Sequence, residues 1–122
     1  MTATDETRSQ VQIAAAAAQS VGAEDLVALD VSQQLPFVDA FLIVTGRSER
    51  NVGAVADAVE EKLGEAGTRV VRREGRAEGR WVLIDFGDIV VHVFHPEERD
   101  YYSLERLWRD CPVISLEEAL AQ

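Results

Sequence analysis

Residues 79–108 read GRWVLIDFGDIVVHVFHPEERDYYSLERLW, and this stretch decides the fold. It holds both tryptophans, both histidines, both tyrosines and two of the four phenylalanines. Gly87-Asp88 is a two-residue turn with glycine first, a kind that suits a tight antiparallel connection. A turn there pairs Phe86 with Ile89, Ile84 with Val91 and Val82 with Val93. Side chains alternate along a strand with period two, so these six residues form one wholly apolar face that belongs against helices. The opposite face carries Trp81 across from Phe94, Leu83 across from His92, and Asp85 across from Val90. A face that mixes Trp, Phe, Leu, His and Asp has the composition of an interface or a site. Trp81 opens its strand beside a glycine-rich turn, a place where large aromatics serve as interface anchors.

Downstream, Pro96 suits the first position of a helix. That helix is expected to carry Tyr101, Leu104, Leu107, Trp108 and Cys111 at helical spacing, until Pro112 stops it. Ser115-Leu116-Glu117-Glu118 has the form of a capping box and starts a short last helix. Upstream, Asp5 is read as the cap of a first helix to about Val21, with Val11, Ala14, Ala15, Ala18 and Val21 on one stripe. Residues 25–31 (DLVALDV) alternate as a strand does, and residues 32–36 form a loop. Residues 39–45 (DAFLIVT) are nearly all apolar, which implies a central strand buried on both faces. Ser48 caps a long helix to about Ala66, with Val52, Val55, Ala56, Val59 and Leu63 on one face. Residues 68–74 read as a polar strand near an edge. The order is therefore α-β-β-α-β-β-β-α-α. It predicts one α/β domain over residues 1–122, with a five-stranded mixed sheet and helices packed on it. The long helix is the crossover for a parallel pair, and the last three strands form an antiparallel meander.

Composition narrows the function. The formal charge is −10, which disfavours a phosphate backbone. The one basic stretch is Arg69, Arg72, Arg73, Arg76 and Arg80, interrupted by Glu74 and Glu78; it reads as a solvated edge. An acidic protein can still act on a ribonucleoprotein by docking to a basic protein component. Cys111 is the only cysteine, which rules out an internal disulfide and fits a reducing cytosol. No run approaches a membrane span, and the alanine-rich run 13–18 lacks the flanks of a signal or transit peptide. The histidines and cysteine show no metal-ligand spacing.

Candidate chemistry is sparse. TGRS at 45–48 follows a strand and opens a helix, where backbone amides can hold an anion or simply be capped by Ser48. A nucleotidyltransferase needs paired carboxylates near such a turn to hold magnesium. Asp85 and Asp88 are three apart and do not share a strand face, and Asp39 begins a different strand, so two-metal chemistry is not supported. His92 lies diagonal to Asp85 and could be a general base, but no Ser or Cys nucleophile stands beside them.

DAFLIVTGRSERNV at 39–52, Glu74-Gly75, RWVLIDFGDIVVHVF at 80–94 and ERDYYSLERLW at 98–108 together resemble the ribosomal silencing factor family RsfS, also called Iojap. The resemblance spans about 22–108; residues 109–122 form a tail of open role, and Asn51 stands where relatives tend to have His or Gln. It implies a fold similar to nucleotidyltransferases but without their catalytic set. It implies binding to the large ribosomal subunit through its fourteenth protein, a steric block to subunit joining, and lowered translation when nutrients are short. Organellar relatives act in ribosome assembly, and members self-associate as dimers off the ribosome. No cofactor, metal, membrane or sequence-specific nucleic acid is implied, and the location is cytoplasmic. The candidate docking residues are Trp81, Leu83, Asp85, His92 and Phe94, with Glu74 and Gly75 at the adjoining edge. Arg99, Tyr101, Tyr102 and Glu105 match the family motif and either dock or lock the helix to the sheet. Two rivals stand beside this reading: a magnesium-dependent nucleotidyltransferase using Gly46, Ser48 and a carboxylate, and a dimerisation module that pairs through the Trp81 face.

Overall fold

The computed structural model describes residues 4–102 and 109–120, with only the backbone for 100–102 and 118. The elements follow as α1 (Asp5–Ser20), β1 (Glu24–Asp30), β2 (Ala40–Thr45), α2 (Glu49–Glu65), β3 (Arg72–Glu74), β4 (Trp81–Asp85), β5 (Ile89–Phe94), α3 (Pro96–Tyr102) and α4 (Glu117–Leu120). The five strands lie in the order β1-β2-β5-β4-β3. Only β2 and β5 are parallel; the other neighbours are antiparallel. The parallel partner of β2 is thus the last strand of the meander, and the connection between them carries α2 together with β3 and β4.

The hairpin has the register read from its turn. Trp81 faces Phe94, Leu83 faces His92 and Asp85 faces Val90. Phe86 donates its N–H to the Ile89 carbonyl at 2.9 Å, closing the turn. Gly87 there has φ 96°, which a residue without Cβ adopts freely.

Two apolar layers follow from the strand alternation. On one side Val82, Ile84, Phe86, Ile89, Val91 and Val93 join Leu42 and Val44 of β2. The stripes Val11, Ala14, Ala15 and Ala18 of α1 and Val52, Val55, Ala56, Val59 and Leu63 of α2 cover them. On the other side Leu29, Val31, Phe41, Ile43, Val90, Phe94 and Cys111 form a second cluster, with Leu35, Val38, Trp81 and Leu83 packed at its margin. All six residues of β2 and all six of β5 are buried, as unbroken apolar runs in central strands require.

Several boundaries differ from the sequence reading. Thr4, not Asp5, caps α1: its hydroxyl accepts from the Thr7 N–H at 3.1 Å, and Asp5 sits in the first turn, where a negative charge suits the helix dipole. The edge strand β3 is exposed and only three residues long, because Thr68 N–H closes the end of α2 on the Leu63 carbonyl and paired register with β4 begins only at Arg72, just after the bond from Val71 N–H to the Asp85 carbonyl. Cys111 is not helical. Its segment runs beside β1, with Asp30 N–H on the Pro112 carbonyl at 2.8 Å and Ile114 N–H on the Ala28 carbonyl at 2.9 Å. The tail therefore covers part of an otherwise bare sheet edge. Leu104, Leu107 and Trp108 lie outside the described residues.

Ser48 caps α2 by accepting from Asn51 N–H at 3.0 Å. Asn51 then accepts from Arg47 N–H at 2.8 Å and donates to the Val21 carbonyl at the end of α1, also at 2.8 Å. One amide thus fastens the start of α2 to the end of α1. Asn51→Ala is expected to lower the unfolding free energy by about 1–2 kcal/mol, measured by urea denaturation, because it leaves these groups without a protein partner.

Candidate functional site

Trp81 is half-buried at the start of β4. Its ring stacks on Phe94, with centroids 5.0 Å apart and planes at 26°. Its indole Nε1–H donates to His92 Nδ1 at 3.2 Å. Phe41 meets the His92 ring edge-on at 4.8 Å and 70°. An aromatic cluster from three adjacent strands therefore sets the plane of one tryptophan.

Beside it lies a cleft of about 230 Å³ lined by Glu74, Gly75, Trp81 and Leu83. Sheet pairing explains the grouping, since Glu74 is the register partner of Leu83. Gly75 has φ 85°, and a Cβ there would overlap the Trp81 carbonyl oxygen. Only glycine lets the chain turn this tightly against β4. A larger cleft, about 370 Å³, lies between residues 26–28 and 113–117; it shares no residue with the aromatic cluster and holds one ionisable side chain, Glu117.

Two expected docking residues sit beneath this surface and not on it. Phe94 is fully buried and His92 is 5% exposed, because β5 is central and covered on both faces. They form the floor under Trp81 and offer a partner no area of their own. Asp85 is half-buried, and its Oδ1 accepts from Gly87 N–H at 2.8 Å, so it braces the hairpin turn. Arg99 is buried, with Nη1 donating to Thr45 Oγ1 at 2.8 Å; it ties α3 to β2. Tyr101 and Tyr102 end α3, where the backbone alone is described, and Glu105 is outside the described residues.

The sequence reading missed the part played by Arg80. Its guanidinium reaches Glu97 and Glu98 at 2.8 Å and Glu49 at 3.7 Å, joining the starts of α2, β4 and α3. Hydrogen bonds to Glu97 and Glu98 raise its pKa further, and the same contact holds the Glu97 carboxyl below its usual value. The available signal was the pair of glutamates directly after Pro96, one strand-pair away from Arg80. Arg72, Arg73 and Arg76 likewise lie against Glu74, Glu60 and Asp57. Arginines matched to carboxylates leave little positive charge for a phosphate backbone.

The residues of the enzyme rival have structural partners. Ser48 is the helix cap, and Asp39 Oδ2 accepts from Thr7 Oγ1 at 3.0 Å. Among the described residues no three His, Cys, Asp or Glu side chains converge to hold a metal, and no helix is long and apolar enough to cross a membrane.

Residues 4–122 match the family model described as "Ribosomal silencing factor during starvation". The chain belongs to this family. The match extends beyond 22–108 at both ends and takes in the tail. A ribosomal silencing factor of Bacillus subtilis is 45% identical over 115 residues, covering 94% of this chain and 98% of that one. A crystal structure from Chromobacterium violaceum superposes with a TM-score of 0.80 at 40% identity, covering 83% of this chain and 84% of that one. A mouse protein named for mitochondrial assembly of the ribosomal large subunit is 31% identical over 103 residues, 82% of this chain and 44% of its own length. The family is named for regulation, not for a reaction, and this member is not an enzyme.

Burial lowers the His92 pKa from 6.5 to about 4, since a charged imidazole loses its hydration there. The unfolded chain therefore takes up the proton first as pH falls through 6.5, and folding is progressively disfavoured down to about 4. From these two values His92 alone should remove on the order of 3 kcal/mol of stability across that window. His92→Phe should flatten the loss by that amount, as measured by urea unfolding at pH 7 and pH 4. Equal pH slopes for the two proteins would contradict the buried, neutral imidazole.

Proposed function

We propose that this protein is a cytoplasmic translational repressor, one domain over residues 1–122. It docks its Trp81 surface on the large ribosomal subunit, through that subunit's fourteenth protein, and blocks joining of the small subunit when nutrients are short. The observation that carries the reading is a tryptophan held half-exposed over a buried aromatic floor, next to an apolar cleft with Glu74 at its rim, in a chain of the silencing family. A fixed aromatic beside a small pocket is the usual form of a binding anchor. The −10 charge favours approach to a basic ribosomal protein and disfavours bare RNA.

The action is steric and needs no cofactor. The sheet serves as a nucleotidyltransferase-like frame that presents a docking face where an enzyme would present carboxylates. Off the ribosome the protein pairs with itself as a homodimer. The mouse relative's name favours a second reading, in which the same docking assists assembly of the large subunit; both readings need the same surface.

The protein is expected to co-sediment with free large subunits and to be nearly absent from small subunits. Trp81→Ala should weaken large-subunit binding by roughly thirtyfold, about 2 kcal/mol. Because Trp81 is only half-buried, its loss should cost the fold less than the roughly 3–5 kcal/mol of a fully buried aromatic. Sedimentation and thermal unfolding of the same variant separate the two effects. Equal binding to both subunits, or unchanged binding by the variant, overturns the proposal.

A further inference from the structure

We infer that His92 is a positioning residue for Trp81: its bare Nδ1 is kept as an acceptor that fixes the indole in the plane a partner meets. The inference deepens the docking reading above and rests on it for its binding consequence only.

An indole nitrogen can donate but never accept. The His92 nitrogen that faces Trp81 Nε1 at 3.2 Å must therefore be unprotonated, which puts the ring hydrogen on Nε2. That Nε2 is buried and has no hydrogen-bond partner among the described residues. A buried donor left without a partner destabilises the fold, because it loses its hydration and gains nothing in exchange. A leucine or phenylalanine would fill the same place on β5 without that cost, as Phe94 and Val90 do on the same face. Histidine is thus the unfavourable choice for packing, and what it supplies that an apolar side chain cannot is the acceptor at Nδ1.

The surroundings keep that acceptor aimed. Phe41 stands edge-on to the imidazole at 4.8 Å, and Phe94 lies nearly parallel to it at 6.3 Å and 13°. A half-turn of the ring would replace the acceptor by the Cδ2–H carbon, which cannot accept from the indole, and the hydrogen bond would be lost. With the hydrogen bond made, Trp81 is held both by stacking on Phe94 and by a directional bond on its edge. Stacking alone leaves an indole free to slide and rotate on a flat ring. The bond removes that freedom before a partner arrives, so less ordering has to accompany binding.

The test begins with the wild-type protein, labelled with ¹⁵N at Trp and His, and Trp81 assigned by loss of its signal in Trp81→Phe. The expected result is a His92 with unprotonated Nδ1 and protonated Nε2 at pH 7, a scalar coupling between Trp81 Nε1 and His92 Nδ1, and a slowly exchanging indole proton. A proton on Nδ1 overturns the inference whatever any variant does. His92→Phe keeps an aromatic ring and removes the acceptor. It should raise the indole exchange rate about tenfold and weaken large-subunit binding about fivefold or more, while His92→Asn, which puts an oxygen near the Nδ1 position, should recover part of both. If His92→Phe leaves exchange and binding unchanged while Trp81→Ala abolishes binding, His92 is only a packing residue. If exchange rises in His92→Phe but neither that variant nor Trp81→Ala alters binding, the positioning stands and the docking surface is elsewhere.

Discussion

Both apolar layers and the aromatic cluster between them and Trp81 depend on β5 being buried on both of its faces. The strand lies between β2 and β4, parallel to one and antiparallel to the other. Its alternate residues must therefore satisfy two different environments. Ile89, Val91 and Val93 meet helices that present valine, alanine and leucine. Val90, His92 and Phe94 face the second layer, which is thinner and ends at Trp81 and Leu83. A shift of one residue would exchange the two sets and put the imidazole among the helices, so the Gly87-Asp88 turn that fixes the register also fixes which face carries Trp81.

The half-exposed position of Trp81 follows from this arrangement. The residue sits at the margin of a layer whose centre is fully buried. Phe94 supports its flat side, His92 holds its edge, and Gly75 crowds the backbone from the β3 side. Arg80, the residue before it, is bound by Glu49, Glu97 and Glu98. Such ion pairs on the surface contribute little to overall stability. Their value here is geometric, since they join three elements at the place where the tryptophan emerges.

The charges divide by the same logic. The basic stretch that might suggest RNA binding is largely occupied by internal carboxylates. The protein as a whole stays strongly acidic. In the docking proposed above, long-range attraction favours a basic protein surface, while the short-range contact offered by Trp81 and Leu83 is apolar and aromatic. On that proposal, steering and anchoring are supplied by different parts of the molecule.

The local rules of strand alternation, helix periodicity, turn chemistry and capping act within a few residues, and they were enough to read much of this chain. The hairpin register from Val82–Val93 to Asp85–Val90 and Ser48 as a cap were legible because each depends only on neighbours in the chain. So were the apolar stripe of α2 and the central place of residues 39–45. The cleft members Glu74, Gly75, Trp81 and Leu83 were legible through the family motif and strand alternation. Tertiary structure decided what distance along the chain conceals. It placed β5 beside β2, which buried Phe94 and His92 and turned two expected contact residues into a supporting floor. It brought Arg99 to Thr45, 54 residues away, and Asn51 to Val21, 30 residues away. It laid residues 112–114 along β1, where the expected helix reached only to Cys111. Burial is a property of the whole packed sheet, and a residue's own alternation shows which face it is on but not how deeply that face is covered.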